Sequence, residues 1–172
     1  MADQQNLDCI ELIIFDVDGV LTDGSINIHD DGSETKRFNV RDGFGFRLWK
    51  DAGFKVAIIT GRAGTALLYR LKSLGVDDDL IIQGSKDKSE ALDVIIEKTG
   101  IESAQIAYMG DDWPDLPALT RVALPMCPCD AEPEVLAACR ERGGFVSTKP
   151  GGSGAAREAI AHILTVKGLY ST

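Results

Sequence analysis

The chain has 172 residues, 44% of them hydrophobic and 26% charged, with a formal net charge of -9. That composition fits one ordinary globular domain over residues 1–172, able to bury roughly two thirds of the surface its unfolded chain exposes, and gives no sign of disorder. The negative charge argues against nucleic acid or an anionic membrane as a partner, and no apolar run approaches the roughly 18 residues needed to cross a bilayer.

Met1-Ala2-Asp3-Gln4-Gln5-Asn6 lacks the basic and apolar regions of a signal peptide, so a cytoplasmic protein is expected. The apolar run Ile10 to Phe15 reads as a buried strand, and Asp16-Val17-Asp18-Gly19-Val20-Leu21-Thr22 follows it directly. Two carboxylates two residues apart can be drawn onto one point where the chain turns, which Gly19 allows. Asp-x-Asp-Gly is an ordinary turn sequence as well. At the carboxyl end of a buried strand, where open α/β sheets bind ligands, it also fits Asp16 as nucleophile or metal ligand beside Asp18 as acid and base.

Ser25 to His29 and Glu34 to Val40, around the turn Asp30-Asp31-Gly32, predict a β-hairpin over about 24–40. Phe44, Leu48 and Trp49 lie at helical spacing before Gly53, and Lys55 to Thr60 is a second buried strand. Leu67, Leu68, Leu71 and Leu74 line the next helix, which Gly75 closes. Leu80-Ile81-Ile82 is a third strand, Ala91, Leu92, Ile95 and Ile96 mark a helix ending near Gly100, and Ile106-Ala107-Tyr108-Met109 is a fourth strand. Val122 to Leu124 and Phe145-Val146 are further strand candidates. Gly151-Gly152-Ser153-Gly154 reads as a flexible loop before a last helix with Ala159, Ile160, Ile163 and Leu164 on its apolar side, within a C-terminal helix and tail over about 152–172. Strands and helices alternating at βαβ spacing predict an α/β fold, a parallel sheet with helices on both faces. Cys9, Cys127, Cys129 and Cys139, with only His29 and His162 beside them, match neither a disulfide framework nor zinc spacing and are expected to be reduced thiols.

In such a sheet the residues just past each strand share one rim. Here they are Asp16 and Asp18, then Thr60-Gly61-Arg62, then Lys88 at a helix start, then Gly110-Asp111-Asp112 with Asp115 one turn on. Each type has a task in phosphoryl transfer. Asp16 can carry the phosphoryl group, and Asp18 can protonate the leaving alkoxide and then take a proton from water. Mg²⁺ prefers oxygen ligands, which suits Asp16, the backbone carbonyl of Asp18 and Asp111. Lys88 and the Thr60 hydroxyl would meet the phosphoryl oxygens, with Asp112 and Asp115 holding Lys88 and metal waters. Taken singly, Thr60 could be a helix cap, Lys88 a solvated charge and Asp111-Asp112 a polar turn. Their order at successive strand ends favours the chemical reading.

These four segments resemble the motifs of the haloacid dehalogenase (HAD) superfamily of Mg²⁺-dependent aspartyl-phosphate phosphatases. The second aspartate, Asp18, is what its phosphatases carry and its dehalogenases lack. Phe38-Asn39-Val40-Arg41-Asp42-Gly43 with Gly45 and Arg47, Ile58-Ile59-Thr60-Gly61-Arg62, Gln83-Gly84, and Gly151-Gly152-Ser153-Gly154-Ala155 with Arg157-Glu158 resemble the capless 3-deoxy-D-manno-octulosonate 8-phosphate (KDO 8-phosphate) phosphatase family over Ile10 to about Gly168. The resemblance implies a Rossmann-like HAD fold with a hairpin insertion and no cap domain, hydrolysis of KDO 8-phosphate in lipopolysaccharide biosynthesis, and a homotetramer in which hairpins pack together and neighbours cover the open site. It also implies substrate contact by Asp18, Asn39, Val40, Arg41, Asp42, Gly43, Arg47, Arg62, Arg70 and Lys88. Arginine suits a sugar-acid phosphate because its planar fork pairs with carboxylate or phosphate through two hydrogen bonds. Trp113-Pro114 inside the fourth motif, Cys127-Pro128-Cys129 and the short tail depart from the expected pattern. A nine-carbon keto sugar acid 9-phosphate is the alternative substrate, and a non-catalytic assembly module the alternative class; intact Asp16, Asp18, Lys88 and Asp111 speak against the latter.

Overall fold

A computed structural model describes residues 7–170; Met1 to Asn6, on which the signal-peptide reading rests, and the last two residues lie outside it. Leu12–Phe15 (β1), Lys55–Ile59, Ile81–Ile82, Ile106–Met109, Leu124–Cys127 and Phe145–Val146 form one six-stranded sheet, and Asn27–Ile28 (β2) with Glu34–Thr35 (β3) form a separate antiparallel pair. Numbering the remaining strands β4 to β8 in that order, the sheet runs β5-β4-β1-β6-β7-β8 with every pairing parallel. All residues of β1, β6 and β7 are buried, the pattern of strands covered on both faces.

The helices are α1 (Val40–Asp51), α2 (Thr65–Ser73), α3 (Lys88–Thr99), α4 (Leu116–Leu119), α5 (Pro133–Glu141) and α6 (Ala155–Val166). Alternation along β1 sends Ile13 and Phe15 into a core with Phe46 and Trp49 of α1, Leu67 and Leu71 of α2 and Ile160 of α6. Leu12 and Ile14 enter the opposite core with Leu92 and Ile95 of α3, Leu119 of α4 and Val135 of α5. Phe15 and Phe46 stack at 5.0 Å between centroids, an anchor whose truncation to alanine would cost about 3–5 kcal/mol. From β1 the chain winds one way to β4 and β5, then crosses to β6, β7 and β8 on the other side. The reversal lies beside β1, where doubly wound sheets open a crevice at their carboxyl ends.

The hairpin is shorter than expected: pairing stops at Thr35, and Val40 is the first residue of α1 rather than the end of a strand. Asn39 explains the boundary, because its Oδ1 accepts from the Arg41 amide at 2.9 Å and caps the helix. The buried face of α1 also differs. Phe46 and Trp49 are buried, whereas Phe44 is 48% exposed, because Gly45 lies against Arg157 and Ile160 of α6 and sets the rotation of the helix. Phe44 then lies outside, under the Arg157 guanidinium at 4.8 Å. Leu80 belongs to a short 3-10 turn before β5, and Val122 precedes β7. No helix among the described residues is long and apolar enough to cross a membrane.

Candidate active site

Asp16 follows β1 and extends its ladder by donating its amide to the Met109 carbonyl at 3.0 Å. The chain then curls, with the amides of Val20, Leu21 and Thr22 all donating to the Val17 carbonyl. Gly19 makes that curl possible. Its φ is +91°, and a Cβ there would lie 1.9 Å from Oδ2 of Asp111, so only glycine lets the loop pass against that carboxylate. Gly151 does the same from the other side, where a Cβ would sit 1.9 Å from the Gly19 carbonyl oxygen. The glycine-rich segment expected to be a flexible loop is thus packed on the Asp16–Thr22 turn, tied by the Gly152 amide to Val20 O at 2.9 Å and the Gly151 amide to Asp130 at 2.9 Å.

Lys88, first residue of α3, sends Nζ to Oδ1 of Asp16 at 3.0 Å and to Oδ1 of Asp115 at 2.6 Å. Asp115 is fully engaged. Its Oδ1 also accepts from the Tyr108 hydroxyl at 2.7 Å, and its Oδ2 accepts from the amides of Asp111 and Asp112 at 3.1 and 3.3 Å. Burial opposes the Lys88 charge, but Asp115 and Asp16 outweigh it and raise its pKa. Carboxylate oxygens of Asp16, Asp111 and Asp115 all lie within 4.8 Å of one another.

Oδ1 of Asp111 and Oδ2 of Asp18 are buried and have no hydrogen-bond partner among the described residues. Burial, followed by the charges of Asp16 and Asp115, pushes Asp111 up to about 8; burial and Asp115 raise Asp16 despite Lys88. Crowded oxygens without donors are what a hard divalent cation would satisfy, so the donor set of Asp16 and Asp111 fits Mg²⁺. Asp115 is a poorer ligand, since both of its oxygens are already taken.

Thr60 is buried at the end of β4, and its hydroxyl accepts from the Arg62 amide at 3.4 Å. Arg62 pairs with Glu34 of the hairpin at 2.5 Å. Asp112 differs from expectation: it is exposed and accepts from the Trp113 amide at 2.7 Å, capping a short turn, while Asp115 alone of the two reaches Lys88. Asp42 also turns away from the rim. Its Oδ1 accepts from the Arg157 amide at 2.9 Å, fastening α1 to the start of α6. Asn39 donates to Gly152 O at 3.3 Å, and Val40 and Arg41 are exposed. Gly43, Arg47 and Arg70 line a groove of about 490 Å³ between α1 and α2, along with Lys50. Of the residues expected to meet substrate, Asp18, Arg62 and Lys88 lie at the strand ends and Val40, Gly43, Arg47 and Arg70 along this groove, whereas Asn39, Arg41 and Asp42 line neither.

Sequence reasoning missed two side chains. Tyr108 looked like core within an apolar strand, yet its hydroxyl holds Asp115. Lys36 pairs with Asp18, and the only signal was that it shares an alternation face with Glu34.

A doubly wound sheet that gathers an aspartate, a lysine and a donor-poor carboxylate at its switch point defines a hydrolase of the haloacid dehalogenase class. A family model described as haloacid dehalogenase-like hydrolase matches residues 45–122. The chain is 39% identical over 168 residues to 3-deoxy-D-manno-octulosonate 8-phosphate phosphatase KdsC of Escherichia coli (strain B / BL21-DE3), covering 98% of this chain and 85% of that protein. The Yersinia pestis phosphatase of the same name superposes with a TM-score of 0.90 at 38% identity, over 96% of this chain and 86% of that one. The Moraxella catarrhalis phosphatase, solved with magnesium, phosphate and KDO, gives 0.89 at 39% identity, over 95% and 91%. The chain belongs to the 3-deoxy-D-manno-octulosonate 8-phosphate phosphatase family.

Proposed function

We propose that this protein hydrolyses 3-deoxy-D-manno-octulosonate 8-phosphate to KDO and phosphate. The observation that carries the reading is Lys88 clamped between Asp16 and Asp115, with the unpartnered Oδ1 of Asp111 beside them, in a chain aligned nearly end to end with KDO 8-phosphate phosphatases. Asp16 attacks phosphorus as the bond to the sugar C8 oxygen breaks, giving an aspartyl phosphate. Asp18 supplies the proton to the departing alkoxide and removes one from the water that then cleaves the acyl phosphate. Lys88 keeps Asp16 aimed and, with the Thr60 hydroxyl, meets charge on the phosphoryl oxygens. Mg²⁺, held by Asp16, Asp111 and the Asp18 carbonyl, supplies positive charge against the phosphoryl group.

Arg62 and the groove residues Arg47 and Arg70 offer cations for the sugar acid's carboxylate, with Val40 and Gly43 lining the same groove. Exposed Ile26 and Ile28 on the hairpin support self-association into a homotetramer that would cover the capless site. Cytoplasmic lipopolysaccharide sugar synthesis is the setting this chemistry fits. Phosphate release across KDO 8-phosphate, a nine-carbon keto sugar acid 9-phosphate and simple sugar phosphates tests the assignment. The eight-carbon ester should turn over fastest, and a faster nine-carbon substrate would overturn it.

A further inference from the structure

Residues two apart in an extended segment point to the same side, and the segment that begins with β3 and runs on past it uses this to place two charges on the catalytic rim. Glu34 accepts from Arg62 of the loop after β4, and Lys36 pairs with Asp18 of the loop after β1. Between and beyond them, Thr35 and Arg37 turn outward to His29 and Asp23. The Lys36 and Asp18 side chains are 14% and 22% exposed, so this is a partly buried pair rather than a solvated surface contact. Lys36 takes Oδ1 of Asp18, while Oδ2 is buried without a partner among the described residues.

We propose that Lys36 is a positioning residue for the acid–base step, holding Oδ1 of Asp18 so that Oδ2 is the oxygen that exchanges the proton. This rests on the reading of Asp18 given above. A loop aspartate can rotate about two side-chain bonds, and a charged hydrogen bond from a separate element removes that freedom. Lys36 itself transfers no proton. The proton leaves Oδ2 of Asp18 for the ester oxygen as the phosphorus–oxygen bond to the sugar breaks and the bond to Asp16 forms. A proton returns to Oδ2 from water as its hydroxyl displaces Asp16 from phosphorus.

The test compares kcat/KM, which reports steps through departure of the alcohol, for KDO 8-phosphate and for p-nitrophenyl phosphate, whose leaving group needs little protonation. With saturating Mg²⁺, Lys36→Met should lower the value for the sugar ester by at least about tenfold and for the aryl ester by less than about threefold. Arg37→Ala, which loosens the outer face of the same hairpin, should show no such split. Equal losses on both esters in Lys36→Met, or no loss on either, would overturn the proposal. Asp18→Asn separates the two ideas. If it shows the split and Lys36→Met does not, the positioning role fails alone; if Asp18→Asn shows none, the acid assignment fails and the role of Lys36 with it.

Discussion

Two kinds of carboxylate in this molecule are built in opposite ways. Glu158, in the first turn of α6, accepts from the Thr148 amide at 2.7 Å, the Thr148 hydroxyl at 2.6 Å and the Ser147 hydroxyl, and these donors outweigh burial to hold its pKa below the usual range. Asp16 and Asp111, at the ends of β1 and β6, are pressed together with their pKa values raised, and an oxygen of Asp111 has no donor among the described residues. Glu158, which serves folding, is saturated by its neighbours. A carboxylate kept under-satisfied costs stability and retains lone pairs for a cation or a phosphorus atom.

The contrast breaks most visibly at the nucleophile. Asp16→Asn should lower phosphate release by at least about 10⁴-fold while circular dichroism shows an intact fold, and undiminished turnover would refute the nucleophile role. Lys88→Met removes the cation that two buried carboxylates share and should cost about 3–5 kcal/mol in urea unfolding, along with activity. Chelation should abolish activity and Mg²⁺ restore it. Mg²⁺ at about one hundred times its Kd should add about 2.7 kcal/mol of stability, seen as a rise in Tm. Asp111→Asn should erase most of that rise; an unchanged response would place the cation elsewhere.

The smallest effect lies at the saturated carboxylate. A glutamate with a depressed folded-state pKa stabilises the protein above its unfolded pKa, and that contribution is lost as pH falls through the folded value. Glu158→Gln should therefore lower Tm at pH 7, with the difference from the parent shrinking below about pH 4. A difference that stays constant with pH would mean that the hydroxyl and amide donors do not favour the charged form.

Much of the catalytic rim was legible because it depends on local pattern. Continuous apolar strands announce a parallel sheet, and the residue after each strand falls on one rim whatever the details of packing, which puts Asp16, Thr60 and Asp111 together and brings Lys88 in at a helix start. The roles of Asp42 and Asp112 were not legible in the same way. Both sit in polar segments where one carboxylate looks like another, and a nearby backbone amide claims each: that of Arg157, 115 residues away, for Asp42, and that of the next residue for Asp112. The glycine-rich segment misled for a related reason, since glycine signals flexibility in a sequence but also marks where two backbones touch.

Local pattern was enough to mark the strands, the aspartates at their ends and the lysine that opens α3, because strand burial and helix starts are set by neighbours within a few residues. Which oxygen each donor takes was settled by packing. Lys88 reaches Asp115 across 27 residues and Lys36 reaches Asp18 across 18, and neither distance has a sequence period. Those pairings follow from where the packed helices and the hairpin come to rest on the sheet, and they decide which carboxylate oxygens are held and which are left free.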